Sequence, residues 1–258
     1  MNRIDKLFET KSQNLLSVYF TAGYPALGDT AHILRALQSG GVNMAEIGIP
    51  FSDPMADGPV IQQSSGQALL KGMSLRLLFE QLADIRSEIN IPLIMMGYLN
   101  PIMQYGFEAF CNRCAETGID GLIIPDLPFA DYLAEYKPIA DRYDIRIIML
   151  ITPETSDERI RQIDRHTAGF IYMVSSPSVT GAKSEFDASA QSYFRRIAAM
   201  NLSNPCLVGF GVGNRSTCEA ACAHSAGVIV GSRFIQHLQS APSIEDAVDR
   251  LLRDLEWR

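Results

Sequence analysis

No apolar run in the sequence approaches the roughly 20 residues that a bilayer-crossing helix needs, so no membrane partner is expected. Clusters of basic residues are missing too, and the net charge is −7. Nucleic acid is held mainly by clustered Lys and Arg, so it is a poor candidate partner. The opening stretch MNRIDKLFETKSQN has no apolar core, which predicts no secretory signal, and it is too acidic for a typical transit peptide. Cytoplasm is the expected compartment. Cysteine is sparse and odd in number: Cys111, Cys114, Cys206, Cys218 and Cys222 do not make a disulfide framework. Cys111-Asn-Arg-Cys114 has the spacing of a redox or zinc motif. It also lies in FEAFCNRCAETG, where Phe107, Phe110, Cys111 and Cys114 recur at helical spacing, which reads as one buried helix face. Cys218 and Cys222 read the same way.

What is present is a repeat of short apolar runs: LLSVYF (15–20), NMAEIGI (43–49), PLIMMGY (92–98), GLIIP (121–125), RIIML (146–150), GFIYMV (169–174), PCLVGF (205–210) and GVIVG (227–231). They show little alternation, as suits parallel strands buried on both faces. Amphipathic helical patterns separate them: Ile33, Leu34 and Leu37 ending at Gly40-Gly41; Leu75, Leu78, Phe79, Leu82 and Ile85 behind a Ser74 cap; Leu133, Tyr136, Ile139, Ala140 and Tyr143; and a tail with Ile244, Ala247, Val248, Leu251, Leu252 and Leu255. Strict alternation predicts an α/β fold, and eight units in about 250 residues match a closed (β/α)8 barrel. The open doubly wound sheet is the rival, but FTAGYPALGD follows the first run and carries no GxGxxG. No linker or low-complexity tract divides the chain, so residues 1–258 read as one domain. Residues 2–11 fit a short helix over the lower end, and the long second unit leaves room for an extra helix around 61–71.

In such a barrel the site lies at the carboxyl ends of the strands. The second run leads into AEIGIPFSDPMADGPVIQ (45–62). Glu46 sits inside an apolar run, where a carboxylate either pairs with a buried cation such as an arginine or is kept for chemistry. Pro50, Pro54 and Pro59 stiffen the following loop, which carries Asp53 and Asp57; these two are either functional or turn formers. VGFGVGN (208–214) puts Gly209, Gly211 and Gly213 after the seventh run, and Gly231-Ser232 follows the eighth, where a short helix begins. Barrel phosphate sites use these two loops and that helix N-terminus, although glycine also serves plain turns. SSPSVTGAKSEF (175–186) suits a mobile lid or an ordinary loop. Phe20 and Tyr98, at or near strand ends, could line an apolar pocket or sit in the core.

Further absences narrow the chemistry. His32, His166, His224 and His237 all avoid strand ends, so no His-based metal site is expected. Lys6, Lys11, Lys71, Lys137 and Lys183 all avoid strands, so no Schiff-base lysine is expected. No Ser or Cys nucleophile has a patterned histidine base. General acid–base catalysis by carboxylates beside a phosphate anchor remains.

From about residue 4 to 255 the sequence resembles the α subunit of tryptophan synthase. EIGIPFSDPMADGPVIQ matches the family signature, and FTAGYP, MGYLNPI, GIDGLIIPDLP, VTG and GFGV follow in the right order. The resemblance implies a TIM barrel that cleaves indole-3-glycerol phosphate to indole and glyceraldehyde 3-phosphate by retro-aldol chemistry. It implies Glu46 as the acid–base residue at indole C3 and Asp57 as the acceptor of the indole N–H. A buried Glu46 should have a raised pKa, and Asp57, on a polar loop, should stay ionised. Phe20, Ile61, Tyr98 and Tyr172 match positions around the indole, Gly181, Gly211, Gly231 and Ser232 match phosphate positions, and Thr180 matches a lid threonine that bonds Asp57. The lid departs from other members, which often carry Arg or Leu and a Gly before VTG; here Pro177 and Ser178 stand in SSPSVTG. The resemblance implies no cofactor in this chain, a β-subunit partner carrying pyridoxal phosphate, and an α2β2 assembly with indole passing between subunits. The loop with Asp53 and Pro54 and the lid would couple the two. A stand-alone lyase, a silent phosphate-binding regulatory barrel and another phosphate barrel enzyme are the alternatives.

Overall fold

The computed structural model describes residues 1–175 and 185–257. Eight parallel strands close into a barrel in sequence order: β1 (Leu15–Thr21), β2 (Met44–Gly48), β3 (Leu93–Met96), β4 (Gly121–Ile123), β5 (Arg146–Ile151), β6 (Ile171–Val174), β7 (Cys206–Gly209) and β8 (Gly227–Val230). β8 returns to β1 with Leu15 opposite Gly227 and Val18 opposite Val230. Each strand falls within two residues of an apolar run. β1, β2, β3, β4 and β8 are buried at every position. Strands sandwiched between a filled interior and a helical jacket have no wet face, so they show no alternation.

The helices form where the amphipathic patterns predict. Ser74 accepts the N–H of Leu77 and caps Leu75–Gln81. The helix Thr30–Ser39 buries Ile33, Leu34 and Leu37 and ends at Gly40. The tail helix Ile244–Leu255 buries Ile244, Ala247, Val248, Leu251 and Leu255. The extra helix after β2 is Pro59–Leu70, with proline in its first turn, where its missing N–H costs nothing. Between 129 and 142 the phase differs from the simple 3.6 period. A π turn at Tyr132–Tyr136 widens the helix, so Tyr132 is buried and donates to the His166 carbonyl at 2.6 Å, while Leu133 is only half-buried. Cys111 and Cys114 lie buried on the helix Phe107–Thr117, the packing role that their spacing suggested.

The helix Arg3–Thr10 closes the lower end. Its Ile4 side chain lies where a Cβ on Gly121 or Gly169 would stand, 2.8 and 3.1 Å away. At the same end Asp120 is buried but paired: it accepts from Arg86 at 2.5 Å, from Arg3 at 3.0 Å and from the Leu93 N–H at 2.9 Å. A buried carboxylate with this many donors is a structural ion cluster.

Strand register sets what faces inward. Tyr19 lies beside Glu46 and Thr21 beside Gly48. Side chains alternate across a strand, so Ser17, Tyr19 and Thr21 share a face with Met44, Glu46 and Gly48. That face is the barrel interior, because Ser17 bonds Glu46 and the Tyr19 hydroxyl sits over Gly48.

Candidate active site

Glu46 stands in the middle of β2 with no solvent exposure. Its Oε1 accepts a hydrogen bond from Ser17 Oγ at 2.8 Å, and its Oε2 has no partner. Among the described residues no arginine or lysine pairs with it, so the salt-bridge reading of this residue fails and the contrast with Asp120 is plain. Burial pushes its pKa up to about 8, against a smaller downward pull from the Ser17 bond. At neutral pH the carboxyl therefore holds its proton.

Asp57 comes from the loop between β2 and the helix Pro59–Leu70. Its backbone N–H closes a turn to the Pro54 carbonyl at 3.1 Å. The expected polar setting does not hold: only 8% of the residue is exposed. Burial lifts its pKa to about 6, against the hydrogen bond that Tyr98 donates to Oδ2 at 3.2 Å. Even so, pH 7 lies above that value, so the ionised form is favoured there. Tyr98, from the end of β3, also accepts the Ala56 N–H at 2.9 Å, and its ring packs on Phe51 at 5.2 Å. One hydroxyl thus ties the loop and its carboxylate to the barrel. Asp53, four residues earlier, is exposed.

Two further phenols complete the interior. Tyr19 and Tyr172 are both buried. Their hydroxyl oxygens lie where a Cβ on Gly48 and on Gly209 would stand, 2.1 Å away in each case. Gly48 lies beside Thr21 and Gly209 beside Val174, so each phenol leans two positions toward the carboxyl end of the neighbouring strand. The lack of side chains on those glycines makes the room. Burial raises both phenol pKa values; the next cause is the charge of Asp57 for Tyr19 and that of Glu46 for Tyr172. Each phenol lies within electrostatic reach of both carboxyls.

Phe20 requires a correction. It is the neighbour of Tyr19 and pairs with Ile47, so it points out of the barrel into the helix layer and does not line the interior. Tyr19, which sequence reasoning passed over, occupies the inward position. Ile61 sits half-buried in the first turn of the helix Pro59–Leu70. That helix is tied to the end of β1 by a 2.7 Å hydrogen bond between Ser64 and Thr21. Gly211 has φ +74°, a left-handed conformation that favours glycine, in the turn after β7. Ser175 supports the same turn by donating to the Phe210 carbonyl at 2.6 Å. Gly231 caps the helix Ser232–Ser240, and a Cβ there would stand 3.2 Å from the Tyr19 ring. The turns after the adjacent strands β7 and β8 thus lie at the same end of the barrel, the second of them with its helix N-terminus beside Tyr19. Thr180 and Gly181 lie outside the described residues, as do Pro177 and Ser178. Among the described residues, no group of three or more His, Cys, Asp or Glu gathers as a metal site, and no helix is long and apolar enough to cross a membrane.

A sequence model of the family "Tryptophan synthase alpha chain" matches residues 6–256. The chain belongs to the tryptophan synthase alpha chain family. It is 66% identical to the Tryptophan synthase alpha chain of Parabacteroides distasonis over 99% of this chain and 100% of that one. It is 61% identical to the protein of the same name from Phocaeicola vulgatus, over the same shares. The crystal structure of tryptophan synthase subunit alpha from Legionella pneumophila superposes with a TM-score of 0.88 at 32% identity, covering 99% of this chain and 97% of that one. As a member of this family it is a carbon–carbon lyase acting on indole-3-glycerol phosphate in tryptophan biosynthesis, and the family implies a β-subunit partner. The fold is accordingly the TIM barrel of its structural neighbours.

Proposed function

We propose that Glu46 and Asp57 divide the retro-aldol cleavage of indole-3-glycerol phosphate between them, as proton donor and fixed negative charge. The observation that carries this reading is the unequal electrostatics of two carboxyl groups facing one interior. Glu46 keeps a proton at neutral pH and has one oxygen without a protein partner, whereas Asp57 is mostly ionised. Pairs of carboxyls pushed apart in this way are the usual arrangement for acid and base roles.

The chemistry follows from indole. Glu46 gives its proton to C3, which turns the ring into an iminium-like indolenine with positive charge at N1. Asp57 accepts the N–H there and stabilises that charge. The bond from C3 to the glycerol carbon then breaks, its electron pair returning to the ring. The hydroxyl on the leaving carbon becomes the aldehyde of glyceraldehyde 3-phosphate and releases its proton to the Glu46 carboxylate, which restores the acid. No lysine imine is required, because the protonated ring is the electron sink. Ile61, Tyr98 and Tyr172 bound the indole. Gly211, Gly231 and Ser232 hold the phosphate through backbone N–H groups and a hydroxyl, at the positive end of a helix.

The same reading makes residues 1–258 one catalytic unit with no cofactor of its own, working in the cytoplasm. Pyridoxal phosphate belongs to the β subunit, the assembly is α2β2, and indole passes between the subunits without release. The loop carrying Asp53 and Pro54 lies at the face that would meet the partner. The test is direct: the purified chain, Glu46→Gln and Asp57→Asn are incubated with indole-3-glycerol phosphate and indole is measured. Each substitution is expected to cost about 10²–10⁴-fold in kcat, the range for a general acid or a charge partner. Cleavage at the unsubstituted rate by both would end the proposal. A β subunit added to the same assay is expected to stimulate cleavage.

A further inference from the structure

Ser17 is the polar member of an otherwise apolar stretch, LLSVYF, and has no solvent exposure. A buried hydroxyl is unfavourable unless it is hydrogen-bonded, and valine or alanine would fill a strand position without that demand. Its partner is Glu46 Oε1 at 2.8 Å. Strand register explains the reach: Ser17 lies beside Met44 and Tyr19 beside Glu46, so Ser17 is two residues nearer the lower end of the barrel, on the same inward face. The carboxyl is thus gripped from below by one oxygen. The other, Oε2, is buried with no partner among the described residues, which leaves it free to meet a substrate in the barrel interior.

We propose that Ser17 is a positioning residue for the cleavage reaction: its hydroxyl occupies Glu46 Oε1 and leaves Oε2 as the oxygen that carries the proton to the substrate. The proposal rests on the reading of Glu46 as the acid. A carboxylic acid has one O–H oxygen and one carbonyl oxygen. Ser17 has one hydrogen to give, and among the described residues its acceptor is Oε1, which is thereby fixed as the carbonyl oxygen. The hydroxyl bond also stabilises the carboxylate left after proton transfer, so it acts in both halves of the cycle. The titratable groups within electrostatic reach of Glu46 are Tyr19 from β1 and Tyr172 from β6, and Asp57 from the loop after β2 is within reach of the same two phenols. Among the described residues, none of them donates a hydrogen bond to it.

The experiment is the pH profile of kcat for indole release, measured with the α chain alone on Ser17→Ala, Ser17→Thr and Glu46→Gln. Loss of the donor is expected to lower kcat on the order of tenfold, the equivalent of one hydrogen bond to a charged group, with KM little changed. The alkaline limb, where Glu46 loses its proton, is expected to move to higher pH, because the bond favours the charged form. Ser17→Thr, which keeps the hydroxyl, restores both. If Ser17→Ala does not fold, Ser17→Cys keeps the volume with a far weaker donor and carries the same expectation. An alkaline limb superimposable on that of the unsubstituted chain would overturn the proposal. Unimpaired cleavage by Glu46→Gln would instead overturn the reading of Glu46 itself, so the two failures are distinguishable.

Discussion

Replacing Tyr98 by phenylalanine removes a single oxygen that makes two contacts: it accepts the Ala56 N–H at 2.9 Å and donates to Asp57 Oδ2 at 3.2 Å. The ring remains packed on Phe51, so the apolar contact survives. A buried group stripped of its partner costs about 1–3 kcal/mol, and here an N–H and a carboxylate oxygen each lose one. Both lie near the mouth, where water can recover part of that, so a net penalty of about 1–2 kcal/mol on the working arrangement is expected. This corresponds to roughly a 5- to 30-fold fall in kcat/KM for indole release. The pH profile gives the sharper readout. The Tyr98 bond pulls the Asp57 pKa down against the burial that raises it to about 6. Without the bond the pKa rises further. Asp57 acts as the anion, so the acidic limb of the profile moves toward neutrality. An unchanged acidic limb together with a lowered rate would refute the reasoning, since it would mean that Tyr98 matters by shape alone.

Glu46→Gln is expected to make the folded chain more stable even as it loses most of its activity. A carboxyl whose folded pKa of about 8 lies above its ordinary value of 4.5 gives the fold its full stability below 4.5 and withdraws it as pH rises toward 8. The gain from glutamine therefore grows by roughly 3 kcal/mol between pH 5 and pH 8, read as denaturant midpoints at each pH. Asp120→Ala is expected to behave in the opposite way, losing about 1–3 kcal/mol of stability because the buried Leu93 N–H and the half-buried Arg86 lose their carboxylate acceptor, while the folded fraction keeps its kcat. Gly211→Ala forces an alanine into φ +74° and is expected to cost about 1–2 kcal/mol in stability. Its KM for the phosphate substrate should rise more than its kcat falls, and inhibition by inorganic phosphate should weaken in parallel.

The barrel was readable because buried parallel strands announce themselves as uninterrupted apolar runs, and each of the eight lies where such a run does. Glu46 was readable for the complementary reason, as a charge with no business in such a run unless something needs it. The same uniformity hid the facing of β1. A strand buried on both sides carries no period-2 signal in hydrophobicity, so nothing in the apolar pattern separates Phe20 from Tyr19. A weaker signal was present: Ser17, Tyr19 and Thr21 put a hydroxyl on every second residue, and that is the inward face. Asp57 misled in another way. A loop with three prolines and two aspartates reads as solvated, but Tyr98, 41 residues away, folds over it, and local composition carries no trace of that contact. The π turn at Tyr132–Tyr136 likewise has no local signature and shifts the buried face by one residue.

The central claim is that the folded chain keeps Glu46 protonated at neutral pH while Asp57 is ionised. The most direct measurement is carbon NMR of the chain labelled at the glutamate side-chain carboxyl, titrated from pH 4 to pH 10, with Glu46→Gln assigning the resonance. One glutamate absent from the Gln variant should titrate near pH 8, well apart from the others. If the Glu46 resonance titrates with the exposed glutamates near the ordinary value of 4.5, the division of labour between the two carboxyls is wrong.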